Sequence, residues 1–134
     1  MRMNLRSCTC TCRQVACSQG NLGKVPLSSY YLQCEAAKKE IIGATGNSRI
    51  HAFALDLASQ ADVKRFAREV LRQFPEIHVL VNNAGTHGDI QSMRRRDTTD
   101  GYETIMATNY LGHFTLTYLL GSTFVFYLVL SSLV

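Results

Sequence analysis

No acidic residue precedes Glu35, and no Asp, Glu, Lys or Arg follows Glu103. The first 34 residues carry Arg2, Arg6, Arg13 and Lys24, whereas residues 35–134 balance ten basic groups against ten acidic ones. The net charge of +4 therefore belongs to one end, and the body of the chain lacks the basic field that nucleic acid would require. A secretory signal and internal repeats are also missing. Five cysteines, an odd number, argue against a disulfide framework and for a reducing compartment. An intracellular location follows, in the cytoplasm or at the endoplasmic reticulum membrane. Cys8, Cys10 and Cys12 could offer thiolates to a soft metal, but no His or second Cys pair follows at zinc-finger spacing, and no metal site is assigned. The alternatives for residues 1–34 are a poorly ordered tail and, from their basic, acid-free composition, a transit peptide.

What is present suffices for a core. A length of 134 residues suits one domain, and 46% hydrophobic against 18% charged residues allows packing. Glu35 to Ile42 reads as a helix stopped by Gly43 and Gly46, and Arg49 to Leu55 as a strand ending at Asp56. Val63, Phe66, Ala67, Val70, Leu71 and Phe74 form a single apolar helical face. Ser59 and Asp62 give that helix its start, and Pro75 closes it. Ile77 to Val81 reads as a buried strand leading into Asn82-Asn83-Ala84-Gly85. A polar loop with Arg94, Arg95 and Arg96 follows, either a solvated surface or an anion site. Asp100 and Glu103 fit a capping box for a last helix.

Helices alternating with strands predict an α/β parallel sheet, with ligands gathering at the carboxyl ends of the strands. Asp56 and the Asn83-Ala84-Gly85 turn sit at such ends. Asn82 and Asn83 either serve a ligand or satisfy backbone groups within the turn.

Leu55-Asp56-Leu57, Asn82-Asn83-Ala84-Gly85 and Thr108-Asn109-Tyr110-Leu111-Gly112-His113-Phe114 together resemble the short-chain dehydrogenase/reductases. Ala36 to Ile41, Leu55 to Ser59 and Thr99 to Glu103 resemble the retinol dehydrogenase branch. The resemblance runs from about Glu35 to Leu120. It implies NADP or NAD as cofactor and a small-molecule alcohol or aldehyde, such as retinol or retinal, as substrate. By the same resemblance Asp56 bonds the adenine ring, and Asn83, Ala84 and Gly85 lie against the adenosine ribose. Asn109 is similar to the helix asparagine of the catalytic tetrad, and Ser132 is aligned weakly with the catalytic serine.

Two departures qualify what the resemblance implies. The Thr-Gly-x-x-x-Gly-x-Gly turn that presents N–H groups to a pyrophosphate is absent upstream of Glu35, where Gly20-Asn-Leu-Gly23 reads as an ordinary turn. No tyrosine has a lysine four residues on, although that pairing lowers the pKa of the proton donor. The expected fold is an incomplete Rossmann-like doubly wound parallel sheet, without its first strand and C-terminal half. Its expected parts are a divergent segment 1–34, a partial dinucleotide-binding domain 35–120 and an apolar tail 121–134. Residues 114–134 are apolar enough either to contact a membrane or to form a buried strand. One reading is thus a truncated oxidoreductase, inactive alone, and the rival is a small non-catalytic protein that is tail-anchored or binds a partner. Without a central strand, the monomer is expected to be marginally stable.

Overall fold

The computed structural model describes residues 8–11, 14–18, 27–86, 95–123 and 129–131. Two short strands come first, β1 (Cys8–Thr11) and β2 (Gln14–Ser18), followed by helix α1 (Leu27–Thr45). Then come β3 (Ala52–Leu55), α2 (Gln60–Gln73) and β4 (Leu80–Asn82). A helical stretch begins as α3 (Thr104–Met106), widens into a π-turn (Ala107–Leu111) and continues as α4 (Gly112–Leu120). A 3-10 turn (Gly121–Thr123) and β5 (Val129–Ser131) complete the described elements.

β2 pairs in parallel with β3, from Val15 opposite Ala52 to Ser18 opposite Leu55. β1 pairs antiparallel with β2 on its other side, and β4 pairs in parallel with β5. Because β1 also lies beside β4, the strands follow the spatial order 3-2-1-4-5 of a doubly wound sheet, in two separate ladders. This corrects the expectation of a sheet without a first strand. The central place is filled, but by a strand antiparallel to β2.

The expected boundary at residue 34 falls inside α1. That helix starts eight residues before Glu35 and takes in Tyr30, Tyr31 and Leu32. Gly43 does not stop it. The helix ends at Thr45, where Gly46 adopts φ 69° and donates its N–H to Ile42 O at 2.8 Å, a left-handed C-terminal cap that glycine adopts readily. α1 lies against β2 and β3, burying Cys34 and Ala37.

α2 follows its periodicity: Val63, Phe66, Ala67 and Val70 are buried. Ser59 Oγ accepts from Asp62 N at 3.3 Å, as expected of the N-cap. The helix stops at Gln73, two residues ahead of Pro75. Its apolar stripe meets Leu55, Leu57, Leu80, Leu116 and Leu120 in one core. Burying each such side chain contributes about 1.5–3 kcal/mol, so this cluster is the chief stabilising element of the described fold.

The apolar tail divides. Leu116 and Leu120 are core residues of α4, and Val129–Ser131 forms β5 alongside β4. Among the described residues no helix is long and apolar enough to cross a membrane. Gly20 to Gly23, Arg94 and Ser132 lie outside the described residues.

Candidate functional site

Two turns leave the carboxyl ends of strands, one after β3 at Asp56–Ala58 and one after β4 at Asn83–Thr86. The side chains around them decide what they can hold. In the first, Asp56 Oδ1 accepts from Ala58 N at 2.9 Å. Its backbone N–H donates to Asp62 Oδ2 at 2.8 Å, so Asp62 serves the turn rather than returning to Ser59. Arg65 fixes Asp62 in turn, with Nε on Oδ1 at 2.6 Å and a second bond to Ala54 O at 2.9 Å. Asp56 Oδ2 has no hydrogen bond among the described residues, leaving one carboxylate oxygen for a donor from a ligand.

Burial pushes the Asp56 carboxyl above the ordinary 3.8, and the nearby Asp62 and Asp100 charges add to that; the Ala58 N–H opposes it. A carboxyl raised by folding binds its proton more tightly in the native state. Stability is therefore fully present below 3.8 and is lost as pH rises through the folded value. Asp56→Asn is accordingly expected to raise the melting temperature at pH 7 and to leave it unchanged well below 3.8, as thermal melts at the two pH values will show.

The second turn is held from the helical stretch. Asn109, within the π-turn, clamps the Thr86 backbone in both directions: Oδ1 accepts from Thr86 N and Nδ2 donates to Thr86 O, both at 2.8 Å. A Cβ on Gly85 would lie 3.5 Å from Asn109 Oδ1, an ordinary contact distance, so Asn109 packs against the turn at Gly85 as well as bonding it at Thr86. Asn109 is exposed and spends its amide on the neighbouring turn. A π-turn inserts one residue into the helix and commonly marks a functional position.

α4 joins the two turns through consecutive residues. Gly112 packs against Leu57, where an added Cβ would stand 2.9 Å from Leu57 Cβ and closer still to the Leu57 carbonyl oxygen. His113 is buried, with Nε2 at 2.6 Å from Ala84 O and Nδ1 at 3.2 Å from Asn82 Oδ1. Asn82 Nδ2 donates to Thr117 Oγ1 at 3.0 Å, which returns the network to α4. Sequence reading placed Asp56, Asn83, Ala84, Gly85 and Asn109 in the site, and all five lie in these turns or on the stretch that holds them.

Gly112, His113, Thr117 and Asp100 were missed. Asp100 does not cap its own helix. Glu103 does, accepting from Ile105 N and Met106 N, while Asp100 Oδ2 accepts from Gln60 N at 2.8 Å and caps α2 across the fold. Gly112 left a trace in the sequence, since a glycine inside a helix is costly without a packing reason.

The residues present fit one end of a dinucleotide, the adenosine end. There is a lone carboxylate oxygen for an amino group, and a glycine turn for a flat ring or sugar.

Comparison with known proteins agrees with this geometry. The family model described as short chain dehydrogenase matches residues 10–125, well upstream of the Glu35 start suggested by the sequence. Retinol dehydrogenase 13 of Mus musculus is 43% identical over 88 residues, which are 66% of this chain and 25% of that protein. Retinol dehydrogenase 11 of Mus musculus is 38% identical over 96 residues, 67% of this chain and 29% of that protein. The chain thus spans little more than a quarter of the curated relatives it matches. A blue fluorescent protein from a metagenomic library, solved in complex with NADPH, aligns at TM-score 0.55 and 25% identity over 81% of this chain and 40% of its own. A metagenomic short-chain oxidoreductase in complex with NADP shares the fold at TM-score 0.57 and 22% identity, over 82% of this chain and 44% of its own. With its strand order, its two strand-end turns and a family match over most of its length, this chain belongs to the short chain dehydrogenase family.

Proposed function

We propose that the chain carries the adenosine half of an NAD(P) site in a retinol dehydrogenase-like oxidoreductase, whose substrates are small-molecule alcohols and aldehydes of the retinol and retinal kind. The observation that carries this reading is the seating of α4 on both turns at once, Gly112 on Leu57 and His113 on Ala84. One helix then fixes the spacing between the Asp56 carboxylate and the Gly85 turn.

When bound, NAD(P) supplies the hydride acceptor or donor. The residues of this chain orient its adenosine portion: Asp56 Oδ2 takes a hydrogen bond from the adenine amine, and Gly85 gives the ribose room. Asn109 keeps the Thr86 backbone from closing over that space.

By themselves these 134 residues transfer no hydride, because none of the six tyrosines has a lysine four residues on. Neither cofactor is favoured. The strand beside β3 ends in Ser18, followed by Gln19, which offers neither a carboxylate for a ribose 2′-hydroxyl nor a guanidinium for a 2′-phosphate.

Saturation-transfer NMR tests the reading. With either NAD or NADP, transfer is expected to the adenine and adenosine-ribose protons and to be absent at the nicotinamide ring, and Asp56→Ala is expected to abolish it. Transfer to the nicotinamide alone, or none at all, defeats the proposal.

A further inference from the structure

The environment of His113 contains a conflict that points to its state. The ring is buried, and each of its nitrogens faces an oxygen: Nε2 the Ala84 carbonyl at 2.6 Å, Nδ1 the Asn82 Oδ1 at 3.2 Å. Only a doubly protonated imidazolium can donate to two acceptors. Yet burial holds His113 below the ordinary 6.5, with the Ala84 carbonyl as the only opposing influence. Among the described residues no charged side chain acts on the ring. On α2, the helix packed against α4, Lys64, Arg65, Arg68 and Arg72 are exposed, and Asp62 and Glu69 are occupied by Arg65 and Arg72. Nothing described nearby compensates a buried positive charge.

Rotating the Asn82 amide by half a turn removes the conflict, because its oxygen and nitrogen occupy nearly the same positions. Asn82 Nδ2 then donates to the unprotonated Nδ1, and the Thr117 hydroxyl, previously the acceptor, donates to Asn82 Oδ1. Every polar atom of the network is satisfied by a neutral ring. The short bond to Ala84 becomes a donation from Nε2–H.

We propose that His113 is a neutral positioning residue whose Nε2–H holds the Ala84 carbonyl, and so sets the Asn83–Gly85 turn against the cofactor, with Asn82 and Thr117 locking the tautomer. The inference deepens the dinucleotide reading above and rests on it for its effect on binding. Ala84 lies between Asn83 and Gly85, so its carbonyl direction fixes how the Gly85 N–H of the same peptide is presented. Asn109 secures the far side of that turn at Thr86.

Two amide replacements separate positioning from packing. Gln places its N–H₂ near the former Nε2, whereas Asn places it near the former Nδ1. His113→Asn is expected to weaken NADPH binding about tenfold, followed by its fluorescence, and His113→Gln by no more than about threefold, while both lower the melting temperature to a similar extent. Long-range ¹H–¹⁵N spectra of the wild-type chain at pH 7 are expected to show the neutral Nε2–H tautomer for His113.

A ring carrying both protons at pH 7, or the Nδ1–H tautomer, overturns the proposal. So does an equal loss of NADPH affinity in the two variants, which is the signature of packing alone. A wild-type chain with the Nε2–H tautomer and no NADPH binding overturns the dinucleotide reading instead. The positioning role is then decided by the Gly85 and Thr86 amide shifts: displacement in His113→Asn but not His113→Gln upholds it, and any other pattern overturns it.

Discussion

Gly112→Ala is expected to cost about 3 kcal/mol of stability and to dissolve the candidate site with it. The added methyl would meet the Leu57 carbonyl oxygen and stand 2.9 Å from Leu57 Cβ, and both obstacles are rigid. A clash with the far end of a flexible side chain could be relieved by a new rotamer; one with backbone cannot. Trimming the neighbour does not help, because Leu57→Ala keeps both the carbonyl and the Cβ. Relief must come from moving α4 off the β3 turn. That movement withdraws His113 from Ala84, since the two residues are consecutive on the helix. Urea unfolding and NADPH binding should therefore fail together. Gly121→Ala is the matched control. It sits at the other end of α4 with helical angles (φ −57°, ψ −30°) and nothing within 4 Å of an added Cβ. There the loss of backbone freedom in the unfolded chain is expected to stabilise by about 0.4–1 kcal/mol. Opposite signs for one chemical change at two glycines of one helix would establish that the contact with Leu57, and not helix propensity, governs the result.

The contrast between these glycines also shows what can be read from residues alone. α2 was legible because its information is local: a 3.6-residue stripe, Ser59 at the start and Pro75 at the end lie within a few turns of one another. The strand-end placement of Asp56 and Gly85 was legible for the same reason. β1 and β2 were not, since Cys-Thr-Cys-Thr and Gln-Val-Ala-Cys-Ser are short, have no large apolar side chain beyond Val15 and are held by pairing. One partner of β2 is β3, more than thirty residues away. Pro26 directly ahead of Leu27 was an overlooked start signal for α1. Asp100 misled for a physical reason. Its spacing to Glu103 fits a local capping box, but its carboxylate reaches the unpaired Gln60 N–H of another helix, forty residues back in the chain. Capping needs only an acceptor near a free N–H, and sequence distance does not enter. His113 was hidden in the same way, because its value lies wholly in the tertiary contact with Asn82 and Ala84.

Leu116→Ala is expected to lower stability by about 2–5 kcal/mol, and Phe114→Ala, the larger truncation by size, by less than about 0.5 kcal/mol. Burial reverses the order. Leu116 is 1% exposed and packs in the cluster with Leu57, Val63 and Leu120, whereas Phe114 is 61% exposed and rests in a stack against Tyr110 with ring centroids 6.2 Å apart. Removing the Leu116 side chain leaves a cavity between α4 and α2 that the surrounding backbone can only partly close, while removing Phe114 returns solvent to a surface already wet. The consequence reaches the site because Leu116 is one turn beyond Gly112 and lies on the same buried side of α4 as His113. Loosening that turn should let α4 rock on Leu57 and stretch the His113 bond to Ala84 before the whole chain unfolds. Hydrogen exchange at the Gly85 and Thr86 amides is the measurement: faster exchange in Leu116→Ala at temperatures where α2 stays protected, and unchanged exchange in Phe114→Ala. Equal protection of the turn in both variants would mean that Asn109 alone holds it, and that α4 contributes to the fold without governing the site.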